Sequence, residues 1–417
     1  MKTNTVMPFV YKSHKLLHYL ITGDIKLERG HVISKELMER IVGDYPVYSS
    51  SAENNGLFGK YGDYMFDEEL VTWSVDGGGY IFYRPKHKFS VTNVCGILRI
   101  QSKRFSYRYI YYLLSWEHKK NTFNYVEKAH PSVIAKLYEI PEIDLPEQQK
   151  ITEILTTVDD AIYKTEAIIN KQKRIKQGLL QDLFKYGIDG NGNTRSERSC
   201  TFKTVKLGKI EIKIPKEWSV ETLESNVRLL SGGTPYKENG ENWIGHIPWV
   251  SPKDMSVDVV FESLDHISEN AMRQLCEAKE NDLLLVVRSG VLAHKVPIAI
   301  VSKTLAFNQD IKALRIINPK KLNSRYLYYF MKSLEHDLLS RGVKRGTTVH
   351  SLNTDYIENI LIPIPERTEQ ENISNILTTI DTSINFQISE VNKLIRIKTG
   401  LMENLLTGVT QVNHLVN

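Results

Sequence analysis

Cysteine is scarce in this sequence, and the few cysteines form no metal-binding or disulfide pattern. Only Cys95, Cys200 and Cys276 occur among the 417 residues, and no two of them are spaced as C-x-x-C. Such isolated thiols argue against a zinc cluster or a disulfide framework and favour a reducing compartment. We therefore expect a cytoplasmic protein whose three cysteines are ordinary thiols.

Long apolar runs are also missing. No segment reaches the roughly 18 consecutive apolar residues that a membrane-spanning helix requires. Near the start of the chain, Lys12, His14, Lys15 and His18 interrupt the apolar residues, so we expect no signal-peptide core there. The sequence therefore predicts a chain without a membrane span.

Catalytic motifs are a third absence. The sequence contains no G-x-x-x-x-G-K-[ST] phosphate loop, no H-E-x-x-H zinc motif and no G-x-S-x-G nucleophile turn. Asn318-Pro319 is followed by Lys320, so the Asn-Pro-Pro-aromatic motif of amino-methyltransferases is absent as well. Gly77-Gly78-Gly79 lacks the helical pattern expected after a cofactor-binding glycine loop, and we interpret it as a turn. We expect no catalytic residue, no metal ligand and no cofactor bound by this chain.

An internal duplication is the strongest positive feature of the sequence. Residues 140–184 and 362–406 align without a gap, and 19 of the 45 positions are identical. The best-matched part is Ile154–Asp159 (ILTTVD) against Ile376–Asp381 (ILTTID). A repeat of this length indicates two similar units joined head to tail. Two such units can form a pseudo-two-fold body that suits a two-part target.

Both repeats carry the apolar periodicity of long helices, over 140–186 and 362–407. Pro146 suits a first helical turn, Thr368-x-x-Glu371 suits a capping box, and Gly187 suits a glycine cap. The a, d and e positions of a heptad frame also include Ile168, Ile175 and Ile397. The residues predicted to pack between helices are Ile154, Leu155, Val158, Ile162, Ile376, Leu377, Ile380 and Ile384.

Two arrangements of these helices are open at this point: antiparallel packing against each other, or separate packing of each helix on its own domain. We favour the antiparallel pair, because one small domain cannot cover so long an apolar stripe. Between the repeats, the polar and turn-rich stretch 187–199 is interpreted as a linker.

The segments outside the repeats have the pattern of α+β domains. Short strand-like runs occur at Tyr80–Tyr83, Ser90–Ile100, Leu283–Val287, Ile298–Val301 and Ile311–Ile316, separated by turn signals. The predicted segments are 1–139 and 201–361 as globular domains, 140–200 as a helical spacer with the linker, and 362–417 as a second helical spacer with a tail.

The two globular segments also share landmarks. Gly43–Ser49 resembles Gly245–Ser251, and Leu98-Arg99-Ile100 is matched by Leu314-Arg315-Ile316. A helix with paired tyrosines follows each of the latter. We expect the four tyrosines to pack within these helices rather than stack on bases. They are Tyr111, Tyr112, Tyr328 and Tyr329.

The positive charge is concentrated in the globular segments. Residues 1–139 carry 19 Lys and Arg against 14 Asp and Glu, and residues 201–361 carry 22 against 19. The helical segments 140–200 and 362–417 are slightly acidic, with 9 basic against 10 acidic and 4 against 6 residues. This distribution favours polyanion contact by the globular domains and protein contact by the helices.

Several glycine-rich, hydroxyl-rich or basic loops are candidates for nucleic-acid contact. The loop at 231–237 could present backbone N–H groups to a phosphate, or it could be an ordinary turn. The loop at 49–56 could read adenine edges with its amides, or it could be a solvated loop. Arg288 could donate two parallel hydrogen bonds to guanine or phosphate, or it could form a surface ion pair. The basic loop at 342–348 favours phosphate contact. The full candidate set is Ser49, Ser50, Ser51, Asn54, Asn55, Ser231, Gly232, Gly233, Thr234, Lys237, Lys253, Arg288, Ser289, Lys344 and Arg345.

On these motifs, the sequence resembles the specificity subunits of type I restriction-modification systems. The two Ile-Leu-Thr-Thr-[Val/Ile]-Asp repeats carry the resemblance, together with Ile214–Trp218, Ser231–Pro235, Arg288-Ser289-Gly290 and Leu361–Pro365. The resemblance implies two target-recognition domains joined by two antiparallel spacer helices. Each domain would read one half of a bipartite double-stranded DNA site, and the helices would fix the spacing.

The resemblance also implies partners. The helices would dock modification (methyltransferase) subunits, of which we expect two, and restriction or translocase subunits could join them. S-adenosylmethionine, and ATP with magnesium, would belong to those partners.

The first half departs from the family pattern, since it has no Ile-Pro-x-x-Trp opening and no Gly-Gly-Thr-Pro loop before residue 43. Its Tyr45–Gly56 and Thr92–Gly96 segments are similar to a different branch of the same class. Two other interpretations remain open. One is a coiled-coil scaffold without a nucleic-acid target, and the other is a stand-alone recognition half of a methyltransferase-nuclease.

Overall fold

The two repeated stretches are long helices, as their periodicity predicts. In the computed structural model, Leu145–Lys185 and Arg367–Thr407 are each one α-helix of 41 residues. The structure describes residues 9–76, 80–121, 123, 128–196, 200–207 and 210–415. The triglycine at 77–79, predicted to be a turn, lies outside these residues.

The helix ends follow the sequence signals in two cases of three. Pro146 is the second residue of its helix, and Gly187 lies just beyond the helix end with φ +66°. The N–H of Gly187 donates to the carbonyl oxygen of Leu183 at 3.1 Å, which closes the last turn. The capping box predicted at Thr368 and Glu371 is wrong. The helix already begins at Arg367, and Glu371 instead accepts a 2.8 Å hydrogen bond from Arg367 Nε.

The chain divides into two compact units, and each unit takes part of both long helices. Residues 1–167 and 388–417 belong to the first unit, and residues 168–387 to the second. The strands of the first unit are β1 (Ser13–Lys15), β2 (Ile25–Arg29), β3 (Tyr45–Tyr48), β4 (Leu57–Tyr61), β5 (Phe66–Ser74), β6 (Ile81–Val91), β7 (Cys95–Ile100) and β8 (Glu139–Pro141). Its shorter helices are α1 (Leu16–Ile21), α2 (Lys35–Arg40), α3 (Tyr107–His118) and α4 (Pro131–Leu137), with a 3₁₀ turn at Glu53–Gly56. The first long helix, Leu145–Lys185, is α5.

A six-stranded sheet in the order β2-β7-β5-β6-β3-β4 is the centre of the first unit. Its strands are antiparallel neighbours except β3 and β6, which pair in parallel through Val47 with Ser90 and Tyr48 with Val91. Leu98 and Val71 lie in one apolar core with Tyr109 and Leu113 of α3, so α3 covers one face of the sheet.

The second unit contains the remaining elements. Its strands are β9 (Phe202–Leu207), β10 (Ile210–Pro215), β11 (Ser219–Thr222), β12 (Val227–Ser231), β13 (Ile247–Val250), β14 (Val259–Val260), β15 (Asp265–Ile267), β16 (Glu277–Ala278), β17 (Leu283–Val286), β18 (Arg288–Ser289), β19 (Ile298–Val301), β20 (Leu305–Phe307), β21 (Ile311–Ile316), β22 (Val343–Lys344), β23 (His350–Leu352) and β24 (Leu361–Ile364). Its helices are α6 (Leu223–Asn226), α7 (Glu269–Met272), α8 (Ser324–Ser333), α9 (Glu335–Asp337) and α10 (Thr354–Glu358). Short helical turns lie at Gly240–Trp243, Gly290–Ala293 and Leu338–Gly342, and the last long helix, Arg367–Thr407, is α11; a further 3₁₀ turn at Asn413–Leu415 belongs to the first unit.

The second unit repeats the strand connections of the first. Its central sheet has the order β12-β21-β17-β19-β14, which matches β2-β7-β5-β6 over four strands. In the first unit, one strand, β6, pairs with both β5 and β3. In the second unit two strands, β19 and β20, take its place: β19 pairs with β17, and β20 pairs in parallel with β13 through Trp249 with Ala306. The similarity that the sequence predicted between Gly43–Ser49 and Gly245–Ser251 is therefore structural, since β3 and β13 occupy the same place.

Within each unit the two long-helix portions run antiparallel. In the first unit, Lys398 Nζ lies 2.6 Å from Asp159 Oδ1. In the second unit, Lys176 lies 2.5 Å from Asp381, and Gln172 donates to Ser383 at 2.9 Å, so positions rise on one helix as they fall on the other. The antiparallel pairing predicted from the apolar stripe is confirmed.

The apolar stripe of the helices is only partly covered. Of the eight predicted packing residues, Leu155, Leu377 and Ile384 are buried, and Ile154, Val158, Ile162, Ile376 and Ile380 are half-buried. The heptad frame was wrong for Ile168, Ile175 and Ile397, which are 46%, 48% and 43% exposed. A pair of helices covers a narrower arc of each partner than the a, d and e positions span.

A glutamine near the start of each long helix anchors that helix to its domain. Gln148 is fully buried; its amide donates to the carbonyl oxygens of Arg104 and Ile143 at 2.8 Å, and its oxygen accepts from Ser106 N at 3.0 Å. Gln370 makes the same three contacts, with Lys321, Pro365 and Asn323.

The glutamate directly before each of these glutamines hydrogen-bonds the segment that follows the other long helix. Glu147 Oε1 accepts from Val412 N at 3.0 Å and from the Tyr11 hydroxyl at 2.8 Å. Glu369 accepts from Ile188 N at 2.9 Å and pairs with Arg195. The Glu-Gln dipeptide of both repeats therefore has a structural reason, because each pair satisfies backbone groups that would otherwise be buried without partners.

The paired tyrosines pack inside their domains, as predicted. Tyr112, Tyr328 and Tyr329 are at most 3% exposed, and Tyr111 is partly buried against the same core. Tyr112 donates to Asp159 Oδ2 at 2.7 Å, and Tyr329 donates to Asp381 Oδ2 at 2.9 Å. Burial raises the pKa of both hydroxyls well above the usual range, so both remain protonated donors.

Candidate nucleic-acid interface

The loop Asn308–Asp310, which follows β20, is the meeting point of the candidate loops in the second domain. Asn308 N donates to the carbonyl oxygen of Val250 at 2.9 Å, which places the Ser251–Asp254 loop beside it. The carbonyl oxygen of Asp310 accepts from Arg288 N at 3.1 Å. Segments widely separated in the sequence therefore converge on one short loop.

The glycine pair after β12 is shaped by the same loop. A Cβ atom on Gly232 would lie 2.2 Å from the carbonyl oxygen of Asn308, so a larger residue does not fit there. The N–H of Gly233 donates to the carbonyl oxygen of Phe307 at 2.9 Å, and its carbonyl oxygen accepts from Trp249 Nε1 at 2.9 Å. The Gly233 N–H that was considered for a phosphate is used inside the protein, and the pair has a packing role.

Hydroxyl groups beside these glycines lie nearer the surface. Ser231 is exposed and its Oγ accepts from Lys312 Nζ at 2.6 Å. Thr234 donates to Gln309 Oε1 at 2.6 Å, which links the loop of Gly232 and Gly233 to the Asn308–Asp310 loop. These contacts bring polar side chains from two strands, β12 and β21, and from the two loops that follow β12 and β20 to one place.

Two of the predicted basic residues are aligned across a small sheet. Its strands have the order β18-β23-β22, and Ser351 on the middle strand is directly opposite both Arg288 and Lys344. Residues opposite each other on neighbouring strands project to the same face of a sheet. Arg288 and Lys344, which are far apart in the sequence, therefore form one basic row, and Arg345 follows at its end. Ser289 accepts from Val291 N at 3.3 Å and has a local capping role.

The predicted basic residues of this region take part in no ion pair among the residues that the structure describes. Five predicted basic residues are exposed, and within the described part of the chain none of them forms an ion pair. They are Lys237, Lys253, Arg288, Lys344 and Arg345. By contrast, Arg315 on β21 is held by Asp282 at 2.7 Å. The surface ion pair considered for Arg288 is therefore not formed among the described residues, and these charges are available to a polyanion.

The first domain contains the same kind of meeting point, built around Thr92–Val94. Thr92 N donates to the carbonyl oxygen of Tyr48 at 2.9 Å, as Asn308 does to Val250. Val75 N donates to the carbonyl oxygen of Val94 at 2.9 Å, as Val287 does to Asp310 at 2.8 Å. The candidate loop that begins at Ser49 therefore lies where the Ser251–Asp254 loop lies in the second domain.

Sequence reasoning missed a counterpart of the glycine loop in the first domain. Gly30 follows β2 as Gly232 follows β12, and a Cβ atom on Gly30 would lie 2.2 Å from the carbonyl oxygen of Val91. His31 N donates to that same oxygen at 3.0 Å. The available signal was a lone glycine directly after a strand-like run, which was too weak to identify the loop.

The predicted loop at 49–56 is polar and tightly turned. Ser49 Oγ accepts from Thr92 Oγ1 at 2.9 Å, Ser50 O accepts from Ser74 Oγ at 3.1 Å, and Ser51 Oγ accepts from Glu53 N at 3.1 Å. Asn54 and Asn55 are exposed and have φ values of 46° and 54°. Their amides lie at the surface, where they could contact another molecule.

A basic run on β6 was also missed. Arg84–Lys88 holds four basic or imidazole side chains in five residues, and Lys86 and Lys88 are exposed. Lys88 Nζ lies 4.6 Å from the centre of the Tyr64 ring. The basic run itself was the signal in the sequence, and the structure places it on the central sheet of the first domain.

Two further expectations concern metals and membranes. Among the residues that the structure describes, no group of three or more His, Cys, Asp or Glu side chains is arranged to hold a metal ion. None of the described helices combines the length and apolar character needed to cross a membrane.

The fold defines a duplicated two-domain protein in which each α+β domain carries a cluster of polar and basic loops. Comparison with known proteins gives the class a name. The family described as the type I restriction modification DNA specificity domain matches residues 23–174 and 215–398. The chain belongs to this family, as the sequence motifs predicted.

Curated relatives agree with this assignment, and a solved structure shares the fold. The specificity subunit of the type I restriction enzyme EcoR124I/EcoR124II from Escherichia coli is 30% identical over 292 residues, which are 67% of this chain and 64% of that protein. The MjaVIII specificity subunit from Methanocaldococcus jannaschii is 24% identical over 416 residues, covering 94% of this chain and 92% of the relative. The type I S subunit structure from M. genitalium has a similar fold, with a TM-score of 0.62 and 14% identity, covering 97% of each chain.

Proposed function

We propose that this chain is the DNA-recognition subunit of a type I restriction-modification complex and reads a bipartite duplex target. The observation that carries the proposal is the doubled arrangement of loops around Thr92–Val94 and Asn308–Asp310. Two domains with one framework and different side chains suit two half-sites of different sequence. The family membership and the names of the relatives support the same conclusion.

Contact with the DNA backbone is assigned to the exposed basic residues. In the second domain, Arg288 and Lys344 form a row across the small sheet, and Lys253 lies on the loop beside the central meeting point. Lysine and arginine without acidic partners neutralise phosphates and release counterions, which gives salt-dependent binding. The hydroxyl and amide groups of Ser231, Thr234, Asn54 and Asn55 are then available for base edges.

The long helices are assigned to assembly and spacing. Exposed apolar side chains on them include Ile168, Ile175 and Phe386 in the second unit, with Phe386 61% exposed. In the first unit, Tyr163 is 73% exposed. We expect modification subunits, two in number, to cover these residues, and restriction or translocase subunits to join them. The helices would also set the distance between half-sites.

Chemistry is assigned to the partners rather than to this chain. S-adenosylmethionine would bind to the modification subunits, and ATP with magnesium to a restriction subunit. The three cysteines are free thiols, which fits our expectation of the reducing cytoplasm where the cell's own DNA lies.

Methylation mapping tests the proposal directly. The chain is expressed with a type I modification subunit in cells that lack adenine methylation, and the modified sites are read across the genome. We expect one bipartite motif with a fixed spacer. The double variant Arg288→Ala, Lys344→Ala should weaken duplex binding. The slope of the logarithm of the binding constant against the logarithm of the salt concentration (the salt slope) should fall in magnitude by about 2, one for each lost phosphate contact.

The rival interpretation, a helical scaffold without a nucleic-acid target, predicts the opposite. In that case, duplex DNA would not bind in a salt-dependent way, with or without a modification subunit, and no methylated motif would depend on this chain. Either result would refute the proposal.

A further inference from the structure

Arg84 on β6 is a buried cation in the first recognition domain. The residue is 1% exposed, and its Nε donates to Thr72 Oγ1 at 3.1 Å. Its Cζ lies 3.6 Å from the centre of the Tyr48 ring and 4.7 Å from that of Phe82. Among the described residues, Nη1 and Nη2 are buried without a hydrogen-bond partner. The guanidinium is therefore held against an aromatic ring, and among the described residues most of its donors are unused.

Within the described part of the chain, Arg84 also lacks a counter-ion. Arg99, on the same sheet, is held between Glu28 and Glu68, and Arg104 pairs with Asp24. Arg84 forms no ion pair with any residue that the structure describes, and burial lowers its pKa to about 10. A buried charge without a partner destabilises a fold, so packing alone would favour an apolar side chain such as methionine.

The segment that covers Arg84 is the loop Ser49–Gly56. A Cβ atom on Gly56 would lie 3.1 Å from Arg84 Nη2, so the backbone of the loop rests on the guanidinium. Asn54, Asn55 and Gly56 are three consecutive residues with positive φ, of 46°, 54° and 76°. Asparagine adopts this conformation at some cost, so the cover is a strained turn with exposed side chains.

The sheet is irregular at the same place. The pairing of β5 with β6 shifts register between Leu70, opposite Arg84, and Glu68, opposite His87. One extra residue on β6 forms a bulge directly after Arg84. Bulges of this kind redirect side chains and occur often beside functional sites.

We propose that Arg84 hydrogen-bonds a guanine of the first half-site. The Ser49–Gly56 loop covers the guanidinium in the free protein and moves away from it when DNA binds. The guanidinium would donate to the O6 and N7 acceptors of the base, the pair that its fork matches best. This inference rests on the proposed function of the chain.

Two observations favour a base over a phosphate as the ligand. Exposed Lys86 and Lys88 on the same strand already offer charges for the DNA backbone. Arg84, by contrast, is oriented by the Tyr48 ring and by Thr72, and a fixed fork suits a base edge of fixed geometry. The unused donors would gain partners in the complex, which offsets the burial of the charge in the free protein.

The test compares Arg84→Met, Arg84→Lys and Lys86→Ala in the full chain with its modification subunit. Methylation is measured on a duplex library randomised in the first half-site, and thermal unfolding is measured in parallel. We expect Arg84→Met to unfold at the same or a higher temperature. We also expect it to lose the preference for guanine at one position by about 10- to 100-fold, with the second half-site unchanged. Arg84→Lys should lose the same preference, because an ammonium lacks the fork, and Lys86→Ala should weaken all sequences alike.

Other outcomes overturn the inference. Retention of the full half-site preference by both Arg84 variants would show that the base is read elsewhere. A uniform loss with a lower salt slope would identify a phosphate contact, and a large loss of thermal stability in Arg84→Met would identify a structural residue. Failure of the proposed function is distinguishable, because the wild-type chain would then give no bipartite motif at all.

Discussion

Asp159 and Lys398 form an ion pair between the two long-helix portions of the first unit, and their repeat counterparts Asp381 and Lys176 form the same pair in the second unit. Each aspartate also accepts from a tyrosine of its own recognition domain, Tyr112 or Tyr329. One carboxylate therefore joins a domain helix to both long helices in each unit. The doubled sequence motif ends in this aspartate, and the contact explains why both copies carry it.

We expect a double-mutant cycle of Asp159→Asn and Lys398→Met to give a coupling of about 1 kcal/mol in the free energy of unfolding. The equivalent cycle at Asp381 and Lys176 should give a larger value, because these side chains are 17% and 20% exposed, against 32% and 23% for the first pair. Urea unfolding measures both cycles. The exposed Lys60–Asp44 pair is the control and should show no measurable coupling. Equal and negligible coupling at all three pairs would contradict the joining role.

Gln370→Ala should lower the free energy of unfolding by about 2–4 kcal/mol, because one buried and two part-buried backbone groups lose their partner. Gln148→Ala should have a similar effect in the first unit. Gln177→Ala, at an exposed position of α5, is the matched control and should change stability by less than about 0.5 kcal/mol. If the Gln370 variant matched this control in urea unfolding, the anchoring contacts would have no energetic importance.

Gly232→Ala and Gly30→Ala should each destabilise the chain by about 1–3 kcal/mol, since the new methyl group would meet a backbone oxygen. Gly240→Ala is the control, because no atom lies within 4 Å of its Cβ position. Differential scanning calorimetry measures the three variants side by side. A Gly30 variant as stable as the Gly240 control would remove the evidence that the two domains share the glycine contact.

Ile168→Glu with Ile175→Glu should leave the stability of the chain nearly unchanged, because both side chains are almost half exposed. The same double variant should weaken assembly with a modification subunit at least tenfold, as charges would enter an apolar contact. Asn170→Glu with Gln177→Glu adds the same charge at exposed polar positions of α5 and serves as the control. Size-exclusion chromatography and calorimetric titration measure assembly. Full assembly by the isoleucine variant would place the partner elsewhere.

The helices and their antiparallel pairing were predictable because their information is local and repeated. Apolar residues recur at helical spacing within each copy, as Leu155 and Ile162 do. The two copies differ too little to pack in unrelated ways. The error at Ile168 and Ile175 has the same origin. Periodicity identifies an apolar face but does not say how much of that face one neighbouring helix covers.

The candidate interface was less predictable because its geometry depends on distant pairs. The need for glycine at position 30 comes from the carbonyl oxygen of Val91, and the row of Arg288 and Lys344 exists only because both strands pair with Ser351. The burial of Arg84 depends on a loop that begins 35 positions earlier, at Ser49. No local pattern signals such contacts.

The meeting points of both domains are held by main-chain hydrogen bonds, from Thr92 to Tyr48 and from Asn308 to Val250. Amide and carbonyl groups are the same whatever side chain a residue carries. Side-chain substitutions on the neighbouring loops can therefore accumulate without disturbing these main-chain hydrogen bonds. A chain built in this way can acquire a new target one side chain at a time while its framework stays constant.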